Sequence, residues 1–344
     1  MSAQLEIKKQ IYESLENGHL DKAEEVTLTA LGENIADDDL ESILKMIKFW
    51  DNRKEYFSFE SGSGNGELLY LEWEKFGDFC DENAITNKKA VFALKSYVFK
   101  TVVDMLIESY RLSPVKDKET LIILGQAFNE LGIIDKAVET LEYALSLSGE
   151  NDDVRVYTLL GDLYAEAGEE DMAMVMFNEA FFKFPQLIDL KQLEYAPLHK
   201  LAQMVEKDGF REHEILEWIP VYGYLYNGLT SRRNLEYKEY INLRDRVREY
   251  EKAINIDKKV INVIIPRLIN YYIWVFDYYV FQVNAYQGAE KIVRRIIELL
   301  ATYPQSEKVQ IKLSDRAESL FKQLLTERKA AGVKMEAQNK DSRS

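Results

Sequence analysis

One short turn sequence occurs three times along the chain, and it constrains the architecture more than any other feature. It spans residues 18–23, 132–137 and 168–173, and each copy begins with glycine and ends with alanine. Around the last two copies the similarity extends further, because residues 124–144 and 160–180 place related residue types at positions 36 apart. A supersecondary unit that recurs at a fixed period predicts a fold in which neighbouring units stack side by side.

Each of the two better copies predicts a hairpin of two antiparallel helices. Leu124, Gly125 and Phe128 share one face of a first helix, and Gly125 allows a neighbouring helix to approach closely. Gly132 falls at the turn, where the end of a helix favours a left-handed backbone that glycine adopts without steric cost. The second helix alternates small and large residues, which lets two helices interdigitate. The predicted packing residues are Leu124, Gly125, Phe128, Gly132, Ala137 and Ala144 in the first copy, and Tyr157, Leu160, Gly161, Tyr164, Gly168, Ala173, Phe177, Ala180 and Pro185 in the second.

The second copy, residues 154–185, resembles the tetratricopeptide repeat family. Its packing residues supply an aromatic residue, Leu, Gly, Tyr, Gly, Ala, Phe, Ala and Pro where the family signature expects them. The first copy is similar, but it departs at Leu121, which replaces the leading aromatic residue, and at Gly149, which replaces the exit proline. Elsewhere the resemblance is weaker. The spacing typical of the second helix of a repeat is retained at Gly18, Ala23 and Ala30, and again in residues 288–304.

The resemblance implies an all-α, right-handed superhelix of helical hairpins, with divergent helical pairs on both sides of the two clear repeats. The composition agrees, because only 6 prolines interrupt 344 residues and strand signals are confined to residues 57–59 and 260–265. We predict divergent helical hairpins in residues 1–115, two well-formed repeats in 116–190, a basic Tyr- and Arg-rich helical region in 191–330 with a soft boundary near Pro220, and a disordered tail in 331–344.

Charge is distributed unevenly along the chain. The net charge is −15, of which residues 1–217 carry −22 and the remaining residues +7. An acidic body and a basic end indicate either two regions with different partners or two regions that attract each other. Attraction between the two regions leaves open a self-assembling structural protein and a homo-oligomer.

The most apolar stretch, residues 267–291, is interrupted by Asn270, Asp277 and Gln282. A transmembrane helix needs about 20 predominantly apolar residues, so these polar side chains disfavour a membrane span. We predict a buried central helix here, since a helix that is apolar on all sides is usually enclosed by protein. An aromatic surface shared with a partner or with a second copy is the alternative.

No combination of residues in the sequence predicts catalysis or metal binding. The glycines of residues 61–67 are followed by glutamates, which would repel a phosphate, so a flexible linker is expected. After His213, a zinc-protease helix would carry its second histidine at the position of Glu217. Cys80 is the single cysteine, and its acidic neighbours would raise its pKa. We therefore expect no enzyme activity, no cofactor and no metal site.

A stretch rich in arginine and tyrosine, residues 231–253, could contact the phosphates and stack on the bases of a nucleic acid. Its acidic residues alternate with the arginines, however, which is typical of a solvated helix face with many salt bridges. A protein partner is the second possibility, and nucleic acid or anionic lipid is disfavoured. The arginines are Arg232, Arg233, Arg244, Arg246 and Arg248.

In the tetratricopeptide repeat family, the first helices line a concave groove that holds a peptide or helix of a partner. Here the positions opposite the packing face carry a formal charge of −3, which favours a basic or neutral peptide or helix. The residues with which some family members grip the carboxy terminus of heat-shock chaperones are missing from both repeats, so that partner is disfavoured. The alternative is a groove filled by the flanking helices of the chain itself. The groove candidates are Glu119, Ile122, Gln126, Asn129 and Glu130 in the first repeat and Arg155, Thr158, Asp162, Ala165 and Glu166 in the second.

These observations predict a non-catalytic scaffold or adaptor that binds a partner polypeptide. The first residues lack the apolar segment of a signal peptide, and a single cysteine suits a reducing environment, so a cytoplasmic location is expected. Two alternatives stay open. One is the self-assembling structural protein, and the other is a regulatory or enzymatic subunit with a site in the aromatic region around Tyr272, Trp274 and Tyr279.

Overall fold

The computed structural model describes residues 2–33, 37–57, 65–112, 117–147, 153–254, 261–303 and 305–341. Within these ranges the chain is all-α, with 15 α-helices and no β-strand. It divides into two compact units, Met1–Val156 and Tyr157–Ser344, so the boundary falls at the start of the second repeat. The helices are α1 (Ser2–Glu16), α2 (Leu20–Glu33), α3 (Asp38–Asp51), α4 (Asn65–Glu82), α5 (Lys88–Leu112), α6 (Lys118–Glu130), α7 (Ile134–Ser146), α8 (Val154–Glu166), α9 (Glu170–Lys183), α10 (Ala196–Lys207), α11 (His213–Leu225), α12 (Tyr237–Ile254), α13 (Ile261–Asp277), α14 (Tyr286–Thr302) and α15 (Glu307–Asp341).

In the first unit, α5 is the central helix and contacts α1, α4 and α6. It is 25 residues long and contains neither glycine nor proline, so no helix breaker interrupts it. The core around it includes an aromatic cluster in which Trp50, Phe76 and Phe99 are almost completely enclosed. The first repeat hairpin, formed by α6 and α7, is attached to this core through α5.

In the second unit, α13 is the central helix and contacts α11, α12 and α14. All nine residues of 268–276 are buried, so α13 is the enclosed helix that the sequence predicts. Tyr272 satisfies its hydroxyl by donating to Glu251 Oε1 over 2.6 Å. Among the described residues, no helix has the length and apolar character of a membrane span.

Two prolines lie inside helices rather than at a boundary. Pro220 is in the middle of α11, where the sequence predicts a soft boundary, and Pro266 is in α13. Both are buried, and apolar packing there offsets the cost of about 3 kcal/mol that a proline imposes on a helix interior. The strand signal at residues 260–265 is wrong, because residues 261–265 belong to α13.

The C-terminal tail, predicted to be disordered from residue 331, is helical up to Asp341 as a continuation of α15. Its Ala, Lys, Glu, Gln and Met residues favour a helix, and it contains no proline.

The other strand signal, at residues 57–59, is described only at Phe57, which ends a short 3₁₀ turn. Several sequence positions discussed above lie outside the described residues: 58 and 59, most of the glycine-rich loop, Gly149 and Pro304.

Arginines of the predicted basic region neutralise buried carboxylates inside the second unit. Arg233 Nε donates to Glu179 Oε1 over 2.6 Å. Arg267 Nε donates to Glu217 Oε2 over 3.0 Å, and its Nη2 bonds to the other oxygen. Both glutamates are only 1% exposed. Part of the positive charge of this region is thus used inside the fold, which weakens the case for nucleic acid.

A π-helical turn, Tyr278–Gln282, continues directly from α13. Such a turn holds one more residue than an α-helical turn. The side-chain amide of Gln282 donates to the backbone carbonyl of Leu235 over 3.1 Å and accepts from the N–H of the same residue over 3.2 Å. The π turn therefore holds the loop of residues 226–236, which joins α11 to α12.

Candidate functional site

The first repeat is the hairpin of α6 and α7 in the first unit. Gly125 faces Leu141 so closely that a Cβ atom at residue 125 would lie 2.6 Å from Leu141 Cγ. Gly132 has a φ of +69° at the turn, and its N–H donates to the Asn129 carbonyl over 2.8 Å. Glycine adopts this backbone conformation without strain. One glycine thus sets the distance between the helices, and the other sets the turn that joins them.

The second repeat repeats this construction in α8 and α9. A Cβ atom at Gly161 would lie 2.6 Å from the Phe177 ring, and Gly168 has a φ of +79° at the turn. Lys183 Nζ donates to the Tyr157 hydroxyl over 2.6 Å, which ties the end of α9 to the start of α8. The same contact between a glycine and a large residue, and the same turn, therefore occur in both hairpins.

Most of the predicted packing residues are buried in their own unit. The exceptions are Phe128, which is half-buried against the core of the first unit, and Gly132 and Gly168, which are exposed at their turns. The buried ones are Leu124, Gly125, Ala137, Ala144, Tyr157, Leu160, Gly161, Tyr164, Ala173, Phe177, Ala180 and Pro185.

Several predicted groove positions of α6 are engaged by the first unit itself. Ile122 is completely buried, although helical spacing places it opposite the packing face. Glu130 Oε2 lies 2.5 Å from Lys95 Nζ of α5. Gln126 and Asn129 are half-buried. The predicted partner-facing role of Ile122 is therefore revised, and Gln126, Asn129 and Glu130 keep part of their surface.

Two charged groove candidates pair with each other. Arg155 Nη1 and Nη2 donate to the two carboxylate oxygens of Glu119 over 2.9 and 2.5 Å. Arg155 also bonds to Asp153. Burial alone would raise the pKa of Asp153, but the hydrogen bonds from Arg155 outweigh it and lower that pKa. These charges largely satisfy one another, so they add little attraction for a partner.

Asp162 of α8 is covered by the chain's own connector between α9 and α10. Its carboxylate accepts hydrogen bonds from the backbone N–H groups of Glu194 and Tyr195, over 3.2 and 2.9 Å. The Tyr195 ring stacks on Phe177, with ring centroids 5.0 Å apart. At Asp162, therefore, the chain itself fills the groove, which is the alternative given in the sequence analysis.

The other groove candidates of the second repeat differ in accessibility. Thr158 is buried, Ala165 is half-buried and Glu166 is exposed. The predicted partner-facing roles of Thr158 and Asp162 are therefore revised, as is that of Ile122. No spacing in the sequence indicates that the connector covers Asp162, since Pro185 and Pro197 mark its ends but not where it lies.

The environment of Asp162 makes a prediction for the pH dependence of stability. Burial raises its pKa to about 6, with Glu194 adding to the rise, while its two backbone hydrogen bonds and His199 oppose it. A carboxyl group whose pKa is raised by folding stabilises the native state most when it is protonated. This stabilisation is therefore complete below about pH 4 and is lost as the pH rises through about 6.

We expect Asp162→Asn to remove this pH dependence. The asparagine carbonyl can still accept from Tyr195, but it carries no charge. Between pH 4 and pH 7 the wild-type free energy of unfolding should fall by about 1 kcal/mol relative to the variant, a value reduced for partial exposure to solvent. Urea unfolding at both pH values measures the difference, and parallel pH profiles for the two proteins would contradict the assignment.

The thiol of Cys80 is not activated. Burial raises its pKa to about 11, and Asp81 adds to the rise. A thiol with a raised pKa is a poor nucleophile and a poor metal ligand at neutral pH. Within the ranges that the structure describes, no group of three or more His, Cys, Asp or Glu side chains could hold a metal ion.

The aromatic residues proposed for an enzymatic site do not share a hydrogen-bond partner. Tyr272 bonds to Glu251, as described above, and Trp274 is buried. The Tyr279 hydroxyl lies 2.9 Å from the Tyr240 hydroxyl. The two tyrosine hydroxyls thus find partners among neighbouring side chains, as is usual for tyrosines that pack inside a fold.

The family of the second repeat follows from its sequence as well as from its geometry. Residues 154–181 match the family model described as tetratricopeptide repeat. The matched segment covers α8 and most of α9. No curated protein matches the chain. The hairpin of α8 and α9, with its glycine turn and its Gly161–Phe177 contact, is therefore a tetratricopeptide repeat, and the chain around it is all-α over the residues that the structure describes.

Proposed function

We propose that the chain is a non-catalytic scaffold that binds another polypeptide. The tetratricopeptide repeat at residues 154–181 carries this proposal, because hairpins of this kind serve as protein-binding modules. The raised pKa of the Cys80 thiol and the bonded hydroxyls of Tyr272 and Tyr279 support a role without catalysis. We also propose a cytoplasmic location, because a chain with a single cysteine suits a reducing compartment.

We place a partner contact in each unit, on the groove candidates that keep accessible surface. These are Gln126, Asn129 and Glu130 on α6 and Glu166 on α8, each considered within its own unit. Since Ile122, Thr158 and Asp162 are buried or bonded within the chain, the contact is smaller than the sequence predicts. The remaining charge is acidic, so a basic or neutral peptide or helix is the expected partner.

Affinity capture with a charge-reversed variant tests the proposal. We expect Gln126→Arg combined with Glu166→Lys to lower the recovery of the bound polypeptide about fivefold or more, because a basic partner is then repelled. The comparison uses equal amounts of the variant and wild-type proteins as bait. Recovery is quantified by mass spectrometry from the native host, and circular dichroism checks that the variant folds. High salt should lower wild-type recovery as well.

A matched control carries the same change in charge elsewhere. Glu139→Lys combined with Gln203→Arg alters two exposed positions on α7 and α10. We expect it to recover the partner as well as the wild type does. If both double variants recover equal amounts of partner, the groove assignment fails.

A further inference from the structure

A cavity of about 370 Å³ lies in the second unit, apart from the repeat hairpin. Its walls come from the loop of residues 226–236, from the π turn Tyr278–Gln282 and from α15. This volume lies within the range that small-molecule sites occupy. The cavity has a mixed lining, with apolar side chains on α15 and polar side chains on the loop.

Arg232 is the buried charged residue of this cavity. Its side chain is 4% exposed, and its Nη1 donates to Asp277 Oδ2 over 2.9 Å. Asp277 is further fixed by the Tyr224 hydroxyl, which donates to Oδ1 over 2.6 Å. The guanidinium lies over the ring of Tyr224, 4.7 Å from its centroid, and over that of Trp274 at 5.3 Å. Arg232 is thus held in place by contacts on several sides.

Two donors of Arg232 have no hydrogen-bond partner: Nε and Nη2. Both are buried, and both lie on the same edge of the planar guanidinium group. A buried donor without a partner costs the desolvation of that group, so native proteins rarely retain two on one side chain. The edge formed by Nε and Nη2 matches a group that presents two acceptor oxygens side by side.

The remaining charge at the cavity favours an anion. Arg328 of α15 lines it as well, with its guanidinium 4.3 Å from the centroid of the Phe281 ring. No carboxylate of the described residues pairs with Arg328. The third arginine of the lining, Arg233, is already paired with Glu179 and Glu239. Arg232 and Arg328 together outweigh Asp277 by one positive charge, which a monoanion would neutralise. Phe281, Leu320 and Leu324 offer an apolar wall beside these charges.

We propose that this cavity binds a small organic carboxylate whose two oxygens accept hydrogen bonds from Nε and Nη2 of Arg232. Its apolar part lies against Phe281, Leu320 and Leu324. A phosphate group fits less well, because a dianion would be repelled more strongly by the neighbouring Asp277 carboxylate than a monoanion. The site does not depend on the proposed scaffold function, and its failure would leave that proposal unaffected.

Calorimetric titration of the full chain with three probes tests the ligand class. The probes are hexanoate, its neutral isostere hexanamide, and inorganic phosphate. We expect hexanoate to bind with a Kd below about 1 mM and about tenfold or more tighter than hexanamide, because the amide cannot accept two charge-assisted bonds. Equal binding of the two, binding of phosphate without hexanoate, or no binding of hexanoate would each overturn the proposal.

Three variants locate the site. Arg232→Lys keeps a positive charge beside Asp277 but lacks the two parallel N–H donors of the guanidinium group, so hexanoate affinity should fall about tenfold or more. Arg328→Gln changes an exposed side chain that the fold does not need, and affinity should fall about threefold or more. The matched control, Arg248→Gln, alters an exposed arginine on α12 and should leave affinity unchanged. Wild-type affinity in both Arg232→Lys and Arg328→Gln would overturn the assignment.

Discussion

Replacing Arg267 with methionine is expected to lower the free energy of unfolding of the second unit by about 3–5 kcal/mol. Arg267 on α13 forms a double hydrogen bond with Glu217 on α11, which is 1% exposed. Without the arginine, that carboxylate stays buried with no cation to neutralise it, which costs far more than the lost bond itself. Urea unfolding followed by tryptophan fluorescence, to which the buried Trp218 contributes, measures the change.

The double variant Arg267→Met with Glu217→Met is the control. Because both charges are then removed together, most of the lost stability should return, as apolar pairs commonly replace buried ion pairs without loss. A decrease below about 1 kcal/mol in the single variant would show that the pair is unimportant. A double variant no more stable than the single one would show that packing, rather than the unpaired charge, causes the loss.

Alanine at Gly161 is expected to destabilise the second unit by about 2 kcal/mol. The added Cβ would lie 2.6 Å from the Phe177 ring, which is completely buried and stacked on Tyr195. The two helices must then separate, or the ring must leave its site. The same substitution at Gly125 meets Leu141 at 2.6 Å in the first unit, and we expect a similar loss there.

Gly77→Ala is the matched control for both glycines. Gly77 lies within α4, and a Cβ atom there would meet no atom within 4 Å. In that position alanine should stabilise the first unit by about 0.5–1 kcal/mol, because it favours a helix more than glycine does. Thermal and urea unfolding of the three variants give the comparison. Equal effects at Gly77 and Gly125 would mean that close packing is not what requires glycine in the hairpin.

The repeat hairpins could be predicted from sequence because their constraints are local. A positive φ at Gly132 and Gly168 and a missing Cβ at Gly161 follow from residue type and spacing alone. The tetratricopeptide resemblance over residues 154–185 rests on the same positions, and it is confirmed by the family match at 154–181. The all-α fold is confirmed as well. Short-range signals thus predicted the all-α class and the two repeat hairpins.

The accessible surface could not be predicted in the same way. Helical spacing places Ile122 and Asp162 opposite the packing face, but it does not reveal that Ile122 is completely buried or that the connector bonds to Asp162. Such contacts join residues far apart in the chain, and no local pattern encodes them. The pairing of Arg232 with Asp277, 45 residues away, is invisible for the same reason.

The π turn at residues 278–282 has a consequence for evolution by insertion and deletion. Removing one residue there would restore ordinary α-helical phase and rotate the following side chains by about 100° around the helix axis. Phe281 would turn away from Arg328, and the Gln282 amide would release Leu235. A single-codon deletion would thus remove one wall of the cavity while α13 stayed in place, and a homologue one residue shorter at this point should lack the carboxylate site.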